Sequence, residues 1–339
     1  MKHYLLLAVQ PYSIAILRPI QEAILARGDD VQWFLYEVDP ALLNPDEKLL
    51  TTVKSVQQYN PMAVFVPGNW APDFFPGVKV EVFHGFGIEK RGHFKIRGLF
   101  DLYCTHGPAT TEPFIASQKK HGYFSVIETG WSKMDSLFTY KNKDTKQKTK
   151  PVILYAPTFS PSLTSAPDLL NEIKRLSKSQ NWSWIIKFHP KMPAEIVEQY
   201  RSIENENLNI VNDSDIIPVL HEADIMLSDT SSVVAEFLCL DKPVITYKSK
   251  QPGPHTDNIL EAHKLEASIK SAIEKPDKLM TGAREFVSQM HPYNDGKSSD
   301  RILDAVDQFI ERDDKLKPKP LNLWRKWQMR KRLGYYHLK

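Results

Sequence analysis

Cysteine, long apolar runs, an excess of either charge and the common catalytic signatures are all scarce in this 339-residue chain, and each scarcity removes a class of protein. The two cysteines, Cys104 and Cys239, sit inside apolar stretches. Two thiols so placed match neither a disulfide framework nor a zinc site, so a reducing cytoplasm is the expected compartment. No stretch approaches the roughly 18 uninterrupted apolar residues of a spanning helix. The amino-terminal run Met1 to Val9 passes at once into Gln10, Pro11, Tyr12 and Ser13, without a long leader core or small-residue cleavage site, and is expected to be a first strand. Any membrane contact is therefore expected to be peripheral. Charge is balanced, 44 basic against 41 acidic residues for a net of +3, which argues against a nucleic-acid partner and confines anion binding to local sites. There is no GxxxxGK[ST], no complete GxGxxG, no GxSxG and no HExxH. These absences count against an NTPase, a dehydrogenase, a serine hydrolase and a metalloprotease. No aspartate cluster has metal-ligand spacing either.

What remains is an ordinary globular composition, 42% hydrophobic and 25% charged, in a chain long enough for two domains of roughly 150 residues with a cleft between them. Short apolar runs recur at Tyr4 to Val9, Val31 to Tyr36, Ala63 to Val66, Val78 to Phe83, Leu102 to Thr105 and Ser125 to Glu128, separated by longer helix-permissive segments. That alternation predicts βαβ units. The lysine-rich residues 141–150 carry nothing to anchor them in a core and are expected to be a linker. The pattern then restarts at Val152 to Tyr155, Trp184 to Phe188, Leu208 to Val211, Ile225 to Leu227 and Val244 to Tyr247, with helices expected over 168–179, 194–203 and 231–240. Near-continuous apolar strands between helices predict two parallel sheets buried on both faces. The expected class is α/β with two Rossmann-like domains, residues 1–140 and 151–314, binding ligands at the strands' carboxyl ends.

The tail, 315–339, interleaves Trp324, Trp327, Tyr335 and Tyr336 with Arg325, Lys326, Arg330, Lys331 and Arg332. Such a segment can lie on anionic lipid or pack back on its own protein.

The segment richest in chemistry runs from Ala223 to Phe237. A strand ends in Asp229-Thr230-Ser231-Ser232 and opens a helix carrying Glu236 one turn beyond Ser232. Three consecutive hydroxyls beside the free N–H groups of a helix start form a phosphate cradle, with Glu236 placed to accept from ribose hydroxyls. The alternative is that Asp229 or one hydroxyl caps the helix, which needs only one such residue. Trp184 to Pro190 ends a strand in Lys187 and His189, where a histidine can accept a proton or stabilise charge on a diphosphate, or simply serve structure. In the first half, His84 follows a strand and precedes Gly85 and Gly87, which permit close backbone approach. Glu89, Lys90, Arg91, Gly92, His93, Lys95 and Arg97 then make a cluster suited to an anionic acceptor, or to a solvated helix face. Tyr155-Ala156-Pro157-Thr158 closes another strand with a hydroxyl, or with an ordinary turn.

In this order the segments resemble the CDP-glycerol glycerophosphotransferase family of teichoic-acid synthesis. The carriers are His84-Gly85-Phe86-Gly87 with Lys90 and Gly92, Tyr155 to Thr158, and His189-Pro190. Asp229 to Ser232 with Glu236, Asp241-Lys242-Pro243, and Asp295 to Arg301 complete the set. Phe86 stands where the family usually has threonine, and Glu89 where it often has a basic residue.

The resemblance implies a GT-B fold and transfer of glycerol phosphate, or a related polyol phosphate, from CDP-glycerol to a hydroxyl of a glycan or lipid-linked acceptor, with CMP released. It places His84 as general base and His189 as charge stabiliser. Thr158, Lys187, Asp229, Thr230, Ser231, Ser232 and Glu236 then lie on the donor side, and Gly85, Lys90 and Arg91 on the acceptor side. No protein-held cofactor is implied; Mg²⁺ would arrive on the donor diphosphate. Competing expectations are a GT-B glycosyltransferase or epimerase acting on a nucleotide sugar, and a binding protein without turnover. The expected location is cytoplasmic, with peripheral contact at the inner face of the membrane through the tail.

Overall fold

A computed structural model of the chain describes residues 1–87, 92–141, 148–213 and 215–336. The chain divides into two compact units, one built from 1–139 together with 290–339, the other from 140–289.

The first unit carries strands β1 (His3–Ala8), β2 (Asp30–Leu35), β3 (Leu49–Leu50), β4 (Ala63–Val66), β5 (Val78–Glu81), β6 (Leu102–Thr105) and β7 (Ser125–Glu128). Its helices are α1 (Ser13–Ala26), α2 (Val53–Tyr59), α3 (Pro108–His121) and α4 (Lys133–Thr139). The sheet order is β3-β2-β1-β4-β5-β6-β7, parallel throughout. The order therefore reverses between β1 and β4, where a parallel sheet opens a binding crevice. Local sequence explains the boundaries. Thr52 and Ser55 form a reciprocal capping box at the start of α2, and Asn60 ends that helix in the left-handed region.

The second unit carries β8 (Val152–Tyr155), β9 (Ser183–Ile186), β10 (Leu208–Ile210), β11 (Ile225–Ser228), β12 (Val244–Tyr247) and β13 (Asp257–Ile259). Its helices are α5 (Ala166–Ser179), α6 (Ala194–Arg201), α7 (Ile217–Glu222), α8 (Val233–Leu238), α9 (Leu265–Ile273) and most of α10 (Asp277–Met290). The order is β10-β9-β8-β11-β12-β13, again all parallel, with its reversal between β8 and β11. Trp184 and Ile186 of β9, Tyr155 of β8, Ile225 and Leu227 of β11 and Ile245 of β12, four adjacent strands, are buried in its core with Tyr200.

Helix α11 (Ser298–Glu311), read from sequence as part of the second domain, belongs to the first unit. The reason is specific. The buried Asp135 carboxylate on α4 accepts from the N–H groups of Ser298 (2.7 Å) and Ser299 (2.6 Å), capping the helix start. Arg27, just past α1, donates to Asp304 at 2.7 Å. The Asp295 to Arg301 stretch is thus a clamp: Arg301 pairs with Asp295 at 2.8 Å, stacks over Tyr293 at 4.1 Å and donates to the Thr129 carbonyl.

Of the expected linker, 142–147 lie outside the described residues, and Lys148 pairs with Asp224 of the second unit at 2.6 Å. The last helix, α12 (Leu323–Leu333), packs on the first unit. Met329 and Leu333 join the first unit's core cluster, and Tyr335 stacks on Phe74 at 4.6 Å.

Candidate functional site

In the first unit three strand ends meet around His84. Strand β5 stops at Glu81, two residues short of the apolar run, because Phe83 takes φ +58°, a left-handed conformation rare for a bulky residue. Phe83 goes into the core and the next residue, His84, is exposed. The His84 Nδ1 lies 2.9 Å from the carbonyl of Pro67, just past β4, and its ring lies 5.6 Å from that of Tyr12, just past β1. A carbonyl only accepts, so Nδ1 carries the proton and the neutral ring holds its lone pair on Nε2. Gly85 has φ +154°, and among the described residues nothing lies within 4 Å of where a Cβ would stand.

Lys90 and Arg91, expected on the acceptor side, and Glu89 with them lie outside the described residues. Phe86, at the first departure from the family pattern, is buried rather than presented to an acceptor. It sits edge-on to His106 (5.3 Å), Trp131 (5.0 Å) and His291 (5.9 Å). Burial drives both of these histidines toward the neutral form, His291 to about 4 and His106 in the same direction. Burial also raises the Glu81 carboxyl to about 8.

In the second unit the reversal between β8 and β11 gathers the donor-side candidates. Asp229 follows β11 and is buried. One carboxylate oxygen accepts from the Thr158 N–H (2.9 Å), the other from the Ser165 N–H and hydroxyl (both 2.8 Å). Ser228 donates to the Ala156 carbonyl at 2.7 Å. Asp229 thus orders the 156–165 loop rather than facing a ligand, and burial raises its pKa despite those donors. Lys187, also buried, donates to the Asp213 carbonyl.

Thr230 accepts from the Lys250 N–H at 2.9 Å, Ser231 is half-buried and Ser232 exposed. Helix α8 starts with Ser232 at its N-cap and no side-chain cap hydrogen bond, so helix capping does not account for these hydroxyls. Glu236 is buried in the first turn of α8. His189, exposed beyond β9, stacks on Phe159 at 4.4 Å, and its Nδ1 accepts from the Lys191 N–H at 3.1 Å. Its proton therefore sits on Nε2 in the neutral ring. Burial, with Lys191 and Lys187 nearby, lowers its pKa and favours that neutral form.

Sequence reasoning missed the rings beside the two histidines, Tyr12 and Phe159, and Ser165, which donates to Asp229. Their signal was position, since Tyr12 directly follows β1, and Phe159 and Ser165 lie in the loop that follows β8. Asp241-Lys242-Pro243 proves to be structural: Lys242 donates to the carbonyls of Leu220, His221 and Ala223, closing the carboxyl end of α7.

Fold and site define a tandem Rossmann-like α/β protein with polar side chains gathered at the switch point of each sheet. A model of the CDP-Glycerol:Poly(glycerophosphate) glycerophosphotransferase family matches residues 101–308, and the chain belongs to that family. His84 lies ahead of the matched stretch, whereas His189 and the Asp229 to Ser232 turn lie within it. The chain is 27% identical over 173 residues to the teichoic acid glycerol-phosphate primase of Bacillus spizizenii, a match covering 47% of this chain and 44% of that protein. It spans less than half the length of the curated relatives it matches.

Among solved structures, the wall teichoic acid polymerase TagF is similar with TM-score 0.65 at 15% identity, over 91% of this chain and 90% of TagF. A UDP-N-acetylglucosamine 2-epimerase reaches 0.63 at 13% identity, over 94% and 98%. These likenesses establish the fold, two parallel-sheet Rossmann-like units of the GT-B type.

Proposed function

We propose that the protein transfers glycerol phosphate, or a related polyol phosphate, from CDP-glycerol to a hydroxyl of a cell-surface glycan or lipid-linked acceptor and releases CMP. The observation that carries this reading is the opposite backbone contact at Nδ1 of the two strand-end histidines, a carbonyl at His84 and an N–H at His189, which puts the neutral-ring proton on Nδ1 of the first and on Nε2 of the second. The acceptor oxygen bonds to the β-phosphorus while its proton passes to His84 Nε2. The bond from that phosphorus to the bridging oxygen breaks, and CMP leaves with the electron pair. His189 Nε2–H and the hydroxyls of Thr230, Ser231 and Ser232 donate to the diphosphate oxygens, so positioning and electrostatics supply the rate. Any Mg²⁺ would arrive on the donor. Family membership and the glycerol-phosphate primases among the relatives support the same donor and product. A lipid-linked acceptor would bring the enzyme to the inner face of the cell membrane, in peripheral contact through the tail.

The test is release of CMP from CDP-glycerol by the purified protein with a panel of lipid-linked and free glycan acceptors, and with CDP-ribitol and nucleotide sugars as competing donors. Acceptor-dependent CMP release is expected. Turnover of a nucleotide sugar alone would replace this reading with a glycosyltransferase or epimerase, and donor binding without turnover would make the chain a binding protein.

A further inference from the structure

Among the described residues the other exposed large apolar side chains are scattered along the sequence, but five, Leu321, Leu323, Trp324, Trp327 and Tyr336, fall between residues 321 and 336. Trp324 and Trp327 are 69% and 45% exposed and stack on one another at 4.9 Å, with the Lys331 ammonium 5.3 Å from the Trp327 ring. Leu321 and Leu323 beside them are 73% and 70% exposed. Leu323, Trp324, Trp327 and Lys331 share one face of α12, and Leu321 lies just ahead of the helix. The opposite face is fixed to the first unit by buried Met329, by Tyr335 on Phe74, and by Arg330 and Lys326 on Asp73 at 3.0 and 3.9 Å. Packing therefore accounts for Met329 and Tyr335, and leaves the tryptophan pair displayed on a helix that is already ordered.

Charge identifies what covers that face. From Lys315 to Lys339 the chain carries nine Lys and Arg and no Asp or Glu, while the remaining 314 residues carry 35 basic and 41 acidic side chains, a net of −6. The positive charge of this protein is thus concentrated on the segment that exposes the tryptophans. Amphipathic indoles beside lysine and arginine are the composition of a helix lying in a headgroup layer, and each basic side chain near an anionic leaflet adds to the attraction. Among the described residues no helix is long and apolar enough to cross a membrane, so the contact is interfacial.

We propose that α12 is a docking surface for an anionic bilayer, with Leu321, Leu323, Trp324 and Trp327 entering the headgroup boundary and Lys331 and Arg332 meeting lipid phosphates. The proposal names the side chains and lipid charge behind the membrane contact proposed above, and rests on that reading only for the acceptor's location. The tail is anchored to the segment between β4 and β5, in which Pro67 holds His84 while Asp73 and Phe74 hold α12. Docking thus acts on the element that carries one of the two histidine supports.

The experiment is flotation of the full-length protein with vesicles of phosphatidylglycerol and phosphatidylcholine, against phosphatidylcholine alone. Wild type floats with the anionic vesicles, Trp324→Ser/Trp327→Ser binds at least about ten-fold more weakly, and Lys331→Gln/Arg332→Gln binds more weakly with a shallower salt dependence. Both variants keep the wild-type circular dichroism, and both keep CMP release toward a soluble acceptor within about two-fold, because their side chains face solvent. Equal flotation of wild type and the tryptophan variant would overturn the proposal. So would absence of wild-type binding, or a dimer that the tryptophan variant dissociates without any vesicle binding. Flotation as described from a protein that releases no CMP with any acceptor would leave the docking surface standing and remove the transferase reading.

Discussion

The ends of β5 and β9 each present an exposed histidine, and the two are held in opposite ways. At His84 the backbone accepts: the Pro67 carbonyl takes the Nδ1 proton and leaves the lone pair on Nε2. At His189 the backbone donates: the Lys191 N–H occupies the Nδ1 lone pair and leaves the proton on Nε2. The aromatic partners differ as well, Tyr12 with its ring centre 5.6 Å from one and Phe159 closer, 4.4 Å from the other. A single backbone contact each thus gives two identical side chains opposite tautomers, the difference on which the proposed roles of base and donor rest, and neither tautomer is a property of histidine itself.

This comparison breaks most visibly in the replacement of each histidine by alanine and by glutamine. Glutamine can donate but cannot take up a proton at neutral pH. His84→Ala and His84→Gln are both expected to lower the rate of acceptor-dependent CMP release by about 10³–10⁴-fold, with no difference between them. His189→Ala should lower it by about 10²–10³-fold, and His189→Gln should recover about ten-fold of that loss. Recovery at His84, or its absence at His189, would reverse the assigned roles.

A smaller effect separates the histidines from their support. Asp229→Ala removes the acceptor for three donors in the 156–165 loop, which carries Phe159 beneath His189. A loss of about 2–4 kcal/mol in unfolding free energy is expected by denaturant titration, because the donors are left unpaired in a buried site. An unchanged midpoint would return Asp229 to the ligand-facing set.

The third effect lies in the first unit alone. His291 is held neutral by burial, with its pKa lowered to about 4. The unfolded chain therefore binds a proton that the folded chain refuses as pH falls from the ordinary histidine value, about 6.5, toward 4. Stability from this group is present above about 6.5 and falls by up to about 3 kcal/mol on reaching 4. The Glu81 carboxyl, raised to about 8, works in the opposite sense, its contribution decreasing as pH rises from the ordinary glutamate range through 8. The difference between wild type and His291→Gln, measured by thermal unfolding across this range, isolates the histidine: it should be independent of pH above about 6.5 and shift against wild type by up to about 3 kcal/mol on reaching 4.

Much of this was legible in the residues. The eleven apolar runs mark eleven of the thirteen strands among the described residues, and the two strands missed are β3 and β13, two and three residues long and at sheet edges. An edge strand needs little apolar surface and so leaves little pattern. The run through Phe83 overshoots β5 because apolarity records burial, and Phe83 is buried in a left-handed turn rather than in a strand. The family resemblance implies Lys187 and Asp229 on the donor side. Here loop carbonyls and amides take up both charges.

By itself the sequence determined the class of the protein: two series of alternating strands and helices, polar turns at the carboxyl ends of the apolar runs, and a basic aromatic tail. These follow from local rules, since periodicity, capping and turn chemistry act over a few residues. Only the tertiary structure decided which nitrogen of each histidine holds the proton, and whether Asp229 turns to a loop or to a ligand. It alone placed α11 with the first unit and left the tryptophans of α12 outward. Each of these depends on a contact between residues distant in the chain or on a turn whose dihedrals no single residue type announces, and hydrogen-bond partners of that kind exist only once the strands have been laid side by side.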